Sequence, residues 1–164
     1  TLKIDAIVNA CNEYLLGCFI PGHFCIDNAI HSFAGMQLRE ECNNIMKGKT
    51  LPNGQVVLTN AYNLPCKYII HTVGPIVQGR LTKHHEEQLA SCYRSCLEIA
   101  EENGIKSIVF CCISTGVFMF PNQRAAEIAV ETVQQYYQET NSQIKTVFNV
   151  YKDLDWNIYY QLLG

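Results

Sequence analysis

Cations are scarce in this chain: Lys and Arg total 12 of 164 residues against 15 Asp and Glu, for a formal net charge of -3. They are scattered rather than interleaved with aromatics, so the continuous basic face that nucleic acid requires is missing and no nucleic-acid partner is expected. Apolar runs of membrane-spanning length are missing too, as is a basic stretch followed by an apolar one at the N-terminus. No membrane partner is therefore expected, and a cytoplasmic location is. The chain is too short for two comfortable domains, yet with 48% hydrophobic residues it can bury a proper core. A single domain over residues 1–164 is expected, and with no sign of an obligate oligomer, a monomer.

Cysteine is the residue the chain does not lack. Nine is an odd number in a chain too large to need covalent staples, which suits a reducing compartment with some thiols buried and a few on metal. Cys92 and Cys96 share a helix face, and Cys111 and Cys112 are adjacent in an apolar run where they would point to opposite faces of a strand. Core packing is the favoured reading of both pairs.

The stretch from Gly17 to Gly35 combines the remaining signals. Cys18, His23 and Cys25 place two thiols and an imidazole within eight positions, and Pro21 and Gly22 bend the backbone so that all three can face one point. These are zinc-type ligands, although buried thiols or a disulfide would also account for the cysteines. Three ligands leave one position of a four-coordinate ion for water or substrate. His31 is the nearest further donor, and its distance along the chain suggests packing or hydrogen bonding instead. Ile26, Ile30 and Phe33 recur at helical spacing, which puts Asp27 in a first helical turn, where the dipole favours a carboxylate.

Along the chain, residues 4–10 form a β-branched run ending in a polar turn, the pattern of a buried parallel strand. Asn9 and Asn12 fall at its carboxyl end, where open α/β sheets bind ligands; a turn alone would also use asparagine, but two leading into the cysteine loop favour a site. One helix is expected over 26–46, a loop over 48–54, strands over 55–59 and 67–72 around a turn at 63–65, and a helix over 81–102 capped by Asn103 and Gly104. A strand at 107–113, a helix at 125–138, a strand at 144–150 and a helix at 154–163 complete the alternation. This order predicts an α/β fold with a mostly parallel sheet and helices on both faces. Between the strand at 107–113 and the helix at 125–138, small residues at 114–116 make a turn whose N–H groups can cradle phosphate, and Phe118 and Phe120 can wall a sugar or base. Many strand-to-helix turns hold Ser, Thr and Gly, so this signal is weak by itself.

Together these residues resemble the macrodomain family, and within it the zinc-containing branch of ADP-ribosylhydrolases. Val8-Asn-Ala-Cys-Asn12 is similar to the family's Asn-Ala-Ala-Asn turn, Ile70-His-Thr-Val-Gly-Pro75 to its His-Thr-Val-Gly-Pro strand end, and Ser114-Thr-Gly-Val-Phe118 to its second phosphate loop. Residues 27–35 resemble the helix bearing its catalytic acid, and the Cys18, Pro21, His23, Cys25 loop marks the zinc branch. Three departures stand out. The family opens with strands ending in Gly-Asp-Ile-Thr, so Thr1 implies missing N-terminal strands; Met119 stands where glycine is usual; and Cys11 replaces an alanine, a change expected to be silent or mildly metal-adjacent.

The resemblance implies a three-layer α/β/α macrodomain with a mixed, mostly parallel sheet. It implies a hydrolase removing mono-ADP-ribose from modified protein side chains, with one Zn2+ on Cys18, His23 and Cys25 and with Asn12 and Asp27 as catalytic residues. ADP-ribose would touch Asn9, Ile26, Ser114, Thr115, Gly116, Val117, Phe118, Asn149 and Tyr151. Its diphosphate is expected between the Gly17 loop and residues 114–118, with Tyr151 near the adenine. The alternative is a non-catalytic reader that binds ADP-ribose without cleaving it; Asp27 and the three ligands argue against it.

Overall fold

The computed structural model describes residues 3–164. The first strand, β1 (Ala6–Ala10), is followed by the cysteine loop and then by α1 (Ile26–Ala34) and α2 (Met36–Met46). The expected single helix over 26–46 is thus two. Gly35 lies between them with φ 95°, outside the helical region, where a side chain would be strained. Apolar spacing continues across the break through Ile30, Ala34, Leu38 and Cys42, all buried, so periodicity alone could not reveal it.

Strands β2 (Val56–Asn60) and β3 (Tyr68–Thr72) form an antiparallel hairpin, then α3 (Lys83–Glu102), β4 (Ser107–Phe110), α4 (Asn122–Thr140), β5 (Lys145–Phe148) and α5 (Asp153–Leu163) follow. Helix α3 starts on a capping box: Thr82 Oγ1 accepts from the His85 N–H at 3.3 Å and His85 Nδ1 accepts from the Thr82 N–H at 3.2 Å. The strand expected over 107–113 ends at Phe110, so Cys111 and Cys112 lie beyond it, half-buried and packed against the core rather than alternating across a sheet. Cys92 and Cys96 are fully buried, as expected.

The five strands run in the order β2-β3-β1-β4-β5, with every neighbouring pair parallel except β2 and β3. Each face has its own apolar layer. Cys11, Leu15, Ile30, Leu38, Cys42 and Ile69 join α1 and α2 to one face. Leu89, Tyr93, Phe110, Ala129 and Tyr159 bring α3, α4 and α5 onto the other. Within the second layer Tyr93, Phe110, Phe148 and Tyr159 stack in series, with centroids 5.0, 6.0 and 5.0 Å apart.

This order decides where a ligand can go. From β1 the chain proceeds to β2 and β3 on one side, then crosses through α3 to β4 on the other. The direction therefore reverses beside β1, and the carboxyl ends of β1 and β4 flank the crevice that such a reversal opens.

Candidate active site

Asp27 sits in the first turn of α1 and is almost fully buried. Burial raises its carboxyl above the usual range, opposed by a hydrogen bond from Asn9 and by the charge of Arg39. The Asn9 amide donates to Asp27 Oδ1 at 2.8 Å. Asn9, expected to touch ligand, is instead 0% exposed and its amide also faces His71 Nδ1 at 3.2 Å. Its side chain points from β1 into the layer under α1, against the Asp27 carboxylate.

His31, one turn further along α1, brings Nε2 to 3.6 Å from Asp27 Oδ1. The pair is close enough to count as an ion pair, but burial, with Arg39 adding to it, pulls His31 down to about 4, so the imidazole is neutral near pH 7 and the contact is packing. Neither ring nitrogen has a hydrogen-bond partner among the described residues.

The cysteine loop runs directly into this helix. Cys25 is the N-cap of α1, its Sγ accepting from the Asn28 N–H at 3.4 Å. Cys18 Sγ lies 3.3 Å from His23 Nδ1, and one donor atom from each of Cys18, His23 and Cys25 lies within 4.8 Å of the others. Bond lengths of about 2.3 Å to sulfur and about 2.0–2.1 Å to nitrogen put neighbouring S and N ligands of a tetrahedral ion roughly 3.5 Å apart. The donor set and its spacing fit zinc. Burial, and then the adjacent Cys18, raise the Cys25 thiol, a shift that a bound cation would reverse.

A second group, His31, Cys42 and His71, also brings one donor from each residue within 4.8 Å. It is a hydrogen-bonded core rather than a cation site, because His71 Nε2 is engaged by Thr59 Oγ1 at 2.9 Å and Nδ1 by Asn9. Cys11 belongs to the same apolar layer, donating to the Thr72 carbonyl at 3.3 Å, and does not join Cys18, His23 and Cys25.

Asn12 is half-buried just beyond β1. Its Nδ2 donates to the Gly17 carbonyl at 3.0 Å and its Oδ1 accepts from the Tyr14 N–H at 3.1 Å, so it closes the turn that delivers Cys18. Past β4, Ser114 is buried with φ 64°, Thr115 Oγ1 donates to the Cys112 carbonyl at 3.1 Å, and Gly116 and Val117 are exposed. Phe118 is half-buried, its carbonyl accepting from the Val77 N–H at 2.8 Å. Phe120, expected as a wall beside Phe118, is 1% exposed and belongs to the core. It lies just before α4, where the chain turns back under the sheet.

Met119 has φ 60°, a backbone glycine tolerates better, which is consistent with its being the unusual residue at this point. Gly74, after β3, packs so closely on this loop that a Cβ would lie 2.0 Å from Ser114 Oγ. Ile26 and Asn149 are exposed at the crevice ends of α1 and β5, and Tyr151 is almost wholly exposed.

With the reversal beside β1, the acid at the start of α1 and the turn-rich loop after β4 in place, residues 8–129 of the chain match the Macro domain family. The chain belongs to the macrodomain family. This macrodomain is 56% identical over 166 residues to a protein-ADP-ribose hydrolase of Treponema medium, the match covering 100% of the chain and 64% of the relative. The chain thus spans less than two thirds of that relative's length.

Among solved structures, the Oceanobacillus iheyensis macrodomain with MES bound superposes with a TM-score of 0.86 at 40% identity, covering 99% of this chain and 84% of that one. The Trypanosoma brucei macrodomain in complex with ADP-ribose gives 0.83 at 34% identity, covering 99% and 64%.

Sequence reasoning missed three residues that stand around Asp27 and the cysteine loop. His71 was visible only as part of a motif, although a histidine inside an otherwise apolar strand is itself a signal. Thr59 had no signal, being an ordinary β-branched strand residue. Arg39, whose guanidinium would lie 3.3 Å from a Cβ at Gly17, could not be singled out from other helical cations.

Proposed function

We propose that this macrodomain is a zinc-dependent hydrolase that removes mono-ADP-ribose from modified protein side chains, with ADP-ribose and mono-ADP-ribosylated protein as partners. One observation carries the reading: Cys25 caps α1 and Asp27 occupies its first turn, so the metal loop and the buried acid are fixed to each other through a single helix N-terminus. The activity for which the Treponema relative is named, and the ADP-ribose bound by the Trypanosoma macrodomain, support it. All nine cysteines are unpaired, which supports the cytoplasmic location we propose with it.

Cys18, His23 and Cys25 would hold the ion. When bound, it supplies a Lewis-acidic centre with one position left for an oxygen ligand. Asp27 orients the attacking water and takes its proton as the new bond forms at the anomeric carbon of the distal ribose; the bond to the protein side chain breaks and the departing group gains a proton. Asn12 holds the turn that brings the metal loop against the ribose. The exposed N–H groups of 115–117 receive the diphosphate, with Ser114 and Phe118 shaping that loop. Tyr151, Asn149 and Ile26 border the path towards the adenine.

The test is release of ADP-ribose from a mono-ADP-ribosylated protein by the zinc-loaded chain. Asp27→Asn should keep ADP-ribose binding and slow turnover by about 10² or more, as loss of a positioned acid or base does. Parent-like turnover by Asp27→Asn, or no release by the parent across Asp/Glu, Ser and Arg linkages, would refute it.

A further inference from the structure

Thr59, His71, Asn9 and Asp27 come from β2, β3, β1 and α1 and form one line of hydrogen bonds under the crevice. Thr59 Oγ1 meets His71 Nε2 at 2.9 Å, His71 Nδ1 meets Asn9 Nδ2 at 3.2 Å, and Asn9 Nδ2 meets Asp27 Oδ1 at 2.8 Å. Sheet register builds it. Asn9 and His71 are direct partners across β1 and β3. Thr59 is two residues from Val57, the partner of His71, and so shares its face. All four residues are less than 5% exposed.

The line has a direction. An amide nitrogen only donates, so the two Asn9 Nδ2 protons go to Asp27 Oδ1 and His71 Nδ1. His71 must then carry its proton on Nε2, where it donates to Thr59 Oγ1. Turning the Asn9 amide over would bring its carbonyl oxygen against the Asp27 carboxylate, where two acceptors repel. Each group therefore constrains the next, from the Thr59 hydroxyl through His71 and Asn9 to Asp27 Oδ1.

Burial alone would not select this arrangement. Ile69 and Leu38 show that apolar side chains fill the same layer without loss, whereas each buried polar group needs a partner. The polar groups here are linked in series, with Asn9 Oδ1 left without a partner among the described residues, and the series ends at the carboxylate that follows the Cys18, His23 and Cys25 loop.

We propose that Thr59 and His71 are positioning residues for Asp27, acting through Asn9 along this hydrogen-bonded line. The proposal rests on the hydrolase reading above. A carboxylate free to rotate would meet the attacking water in the productive geometry only part of the time, lowering turnover and leaving ground-state binding alone.

The experiment compares Thr59→Val, which keeps shape and removes the acceptor, with Thr59→Ser, which keeps the hydroxyl, in the zinc-loaded full chain. Thr59→Val should lower kcat about tenfold, with KM and ADP-ribose affinity within about twofold of the parent, and Thr59→Ser should restore most of the rate. In an Asp27→Asn background, single-turnover rates with and without Thr59→Val should agree within about twofold, because residues acting as a unit are not additive.

Independently of activity, 15N NMR of the parent should show the His71 proton on Nε2, a readout that survives even if Thr59→Val does not fold. An active parent with the His71 proton on Nδ1, with parent-like kcat in Thr59→Val, or with an equal loss in both backgrounds, would overturn the positioning role alone. A parent with no hydrolase activity would overturn the hydrolase reading and this one with it.

Discussion

Replacing Gly74 by Ala tests whether the β3 end and the loop after β4 are built as one unit. Gly74 does not have the left-handed backbone that glycine favours, so the demand is for space. An added Cβ would lie 2.0 Å from Ser114 Oγ, 2.7 Å from Ile113 Cγ2 and 3.3 Å from Ser114 Cβ. The hydroxyl can rotate away at small cost, since it has no hydrogen-bond partner to lose. Ile113 cannot move so easily, because it is fully buried, and the Ser114 backbone is tied by its carbonyl to the Phe120 N–H at 2.9 Å.

Overpacking of this kind costs about 1–3 kcal/mol, which in a chain of this size lowers Tm by roughly 2–12 °C. Because strain is relieved by shifting the 114–118 loop, ADP-ribose affinity should fall about tenfold as well. Adding Ser114→Ala removes the Oγ contact, which is cheaply relieved, and leaves the Ile113 contact, so the double variant should recover little of the lost stability. Thermal unfolding and calorimetric ADP-ribose binding measure the two effects. A Gly74→Ala chain with parent Tm and parent affinity would show that the loop does not rest on β3 as described.

Acid should destabilise the fold through its two buried imidazoles. Burial pulls His71 down to about 3 and His31 to about 4, whereas in the unfolded chain both titrate near 6.5. Between these limits the unfolded state holds more protons, so their contribution is complete above pH 6.5 and is lost as pH falls towards 4 and then 3. At pH 4.5, about two units below 6.5, each histidine should have cost about 2–3 kcal/mol. Measuring in Asp27→Asn removes a buried carboxyl that titrates in the opposite sense, and a Tm unchanged between pH 7 and pH 4.5 would contradict the burial of these rings. Zinc removal, by chelation or by His23→Ala, should abolish hydrolysis yet leave far-ultraviolet circular dichroism unchanged, since Cys18, His23 and Cys25 belong to neither apolar layer; loss of the whole spectrum would show that the loop supports the fold.

Much of this molecule follows from local sequence. The alternation of β-branched runs with helical periodicity determined a mostly parallel sheet with helices on both faces, and the carboxyl ends of β1 and β4 were marked by Asn12 and by residues 114–118. The three-ligand loop and the helix carrying Asp27 are contiguous in the chain, so their proximity needs no tertiary information. A periodic pattern reports which side of an element faces inwards, however, and not what it meets there. The break at Gly35 was hidden because buried residues keep helical spacing on both sides of it. Phe120 was placed beside a ligand by its sequence neighbour, but the turn into α4 buries it in the core. The position of Asn9 at a strand end points to a ligand, while the direction of its side chain, down under α1, depends on strand register. The line from Thr59 through His71 and Asn9 to Asp27 joins residues on three strands and a helix, with His71 and Asn9 62 positions apart. Only the packing of β2, β3 and β1 side by side could bring them together, because hydrogen bonds of that kind are set by register and burial and leave no periodic trace in the chain.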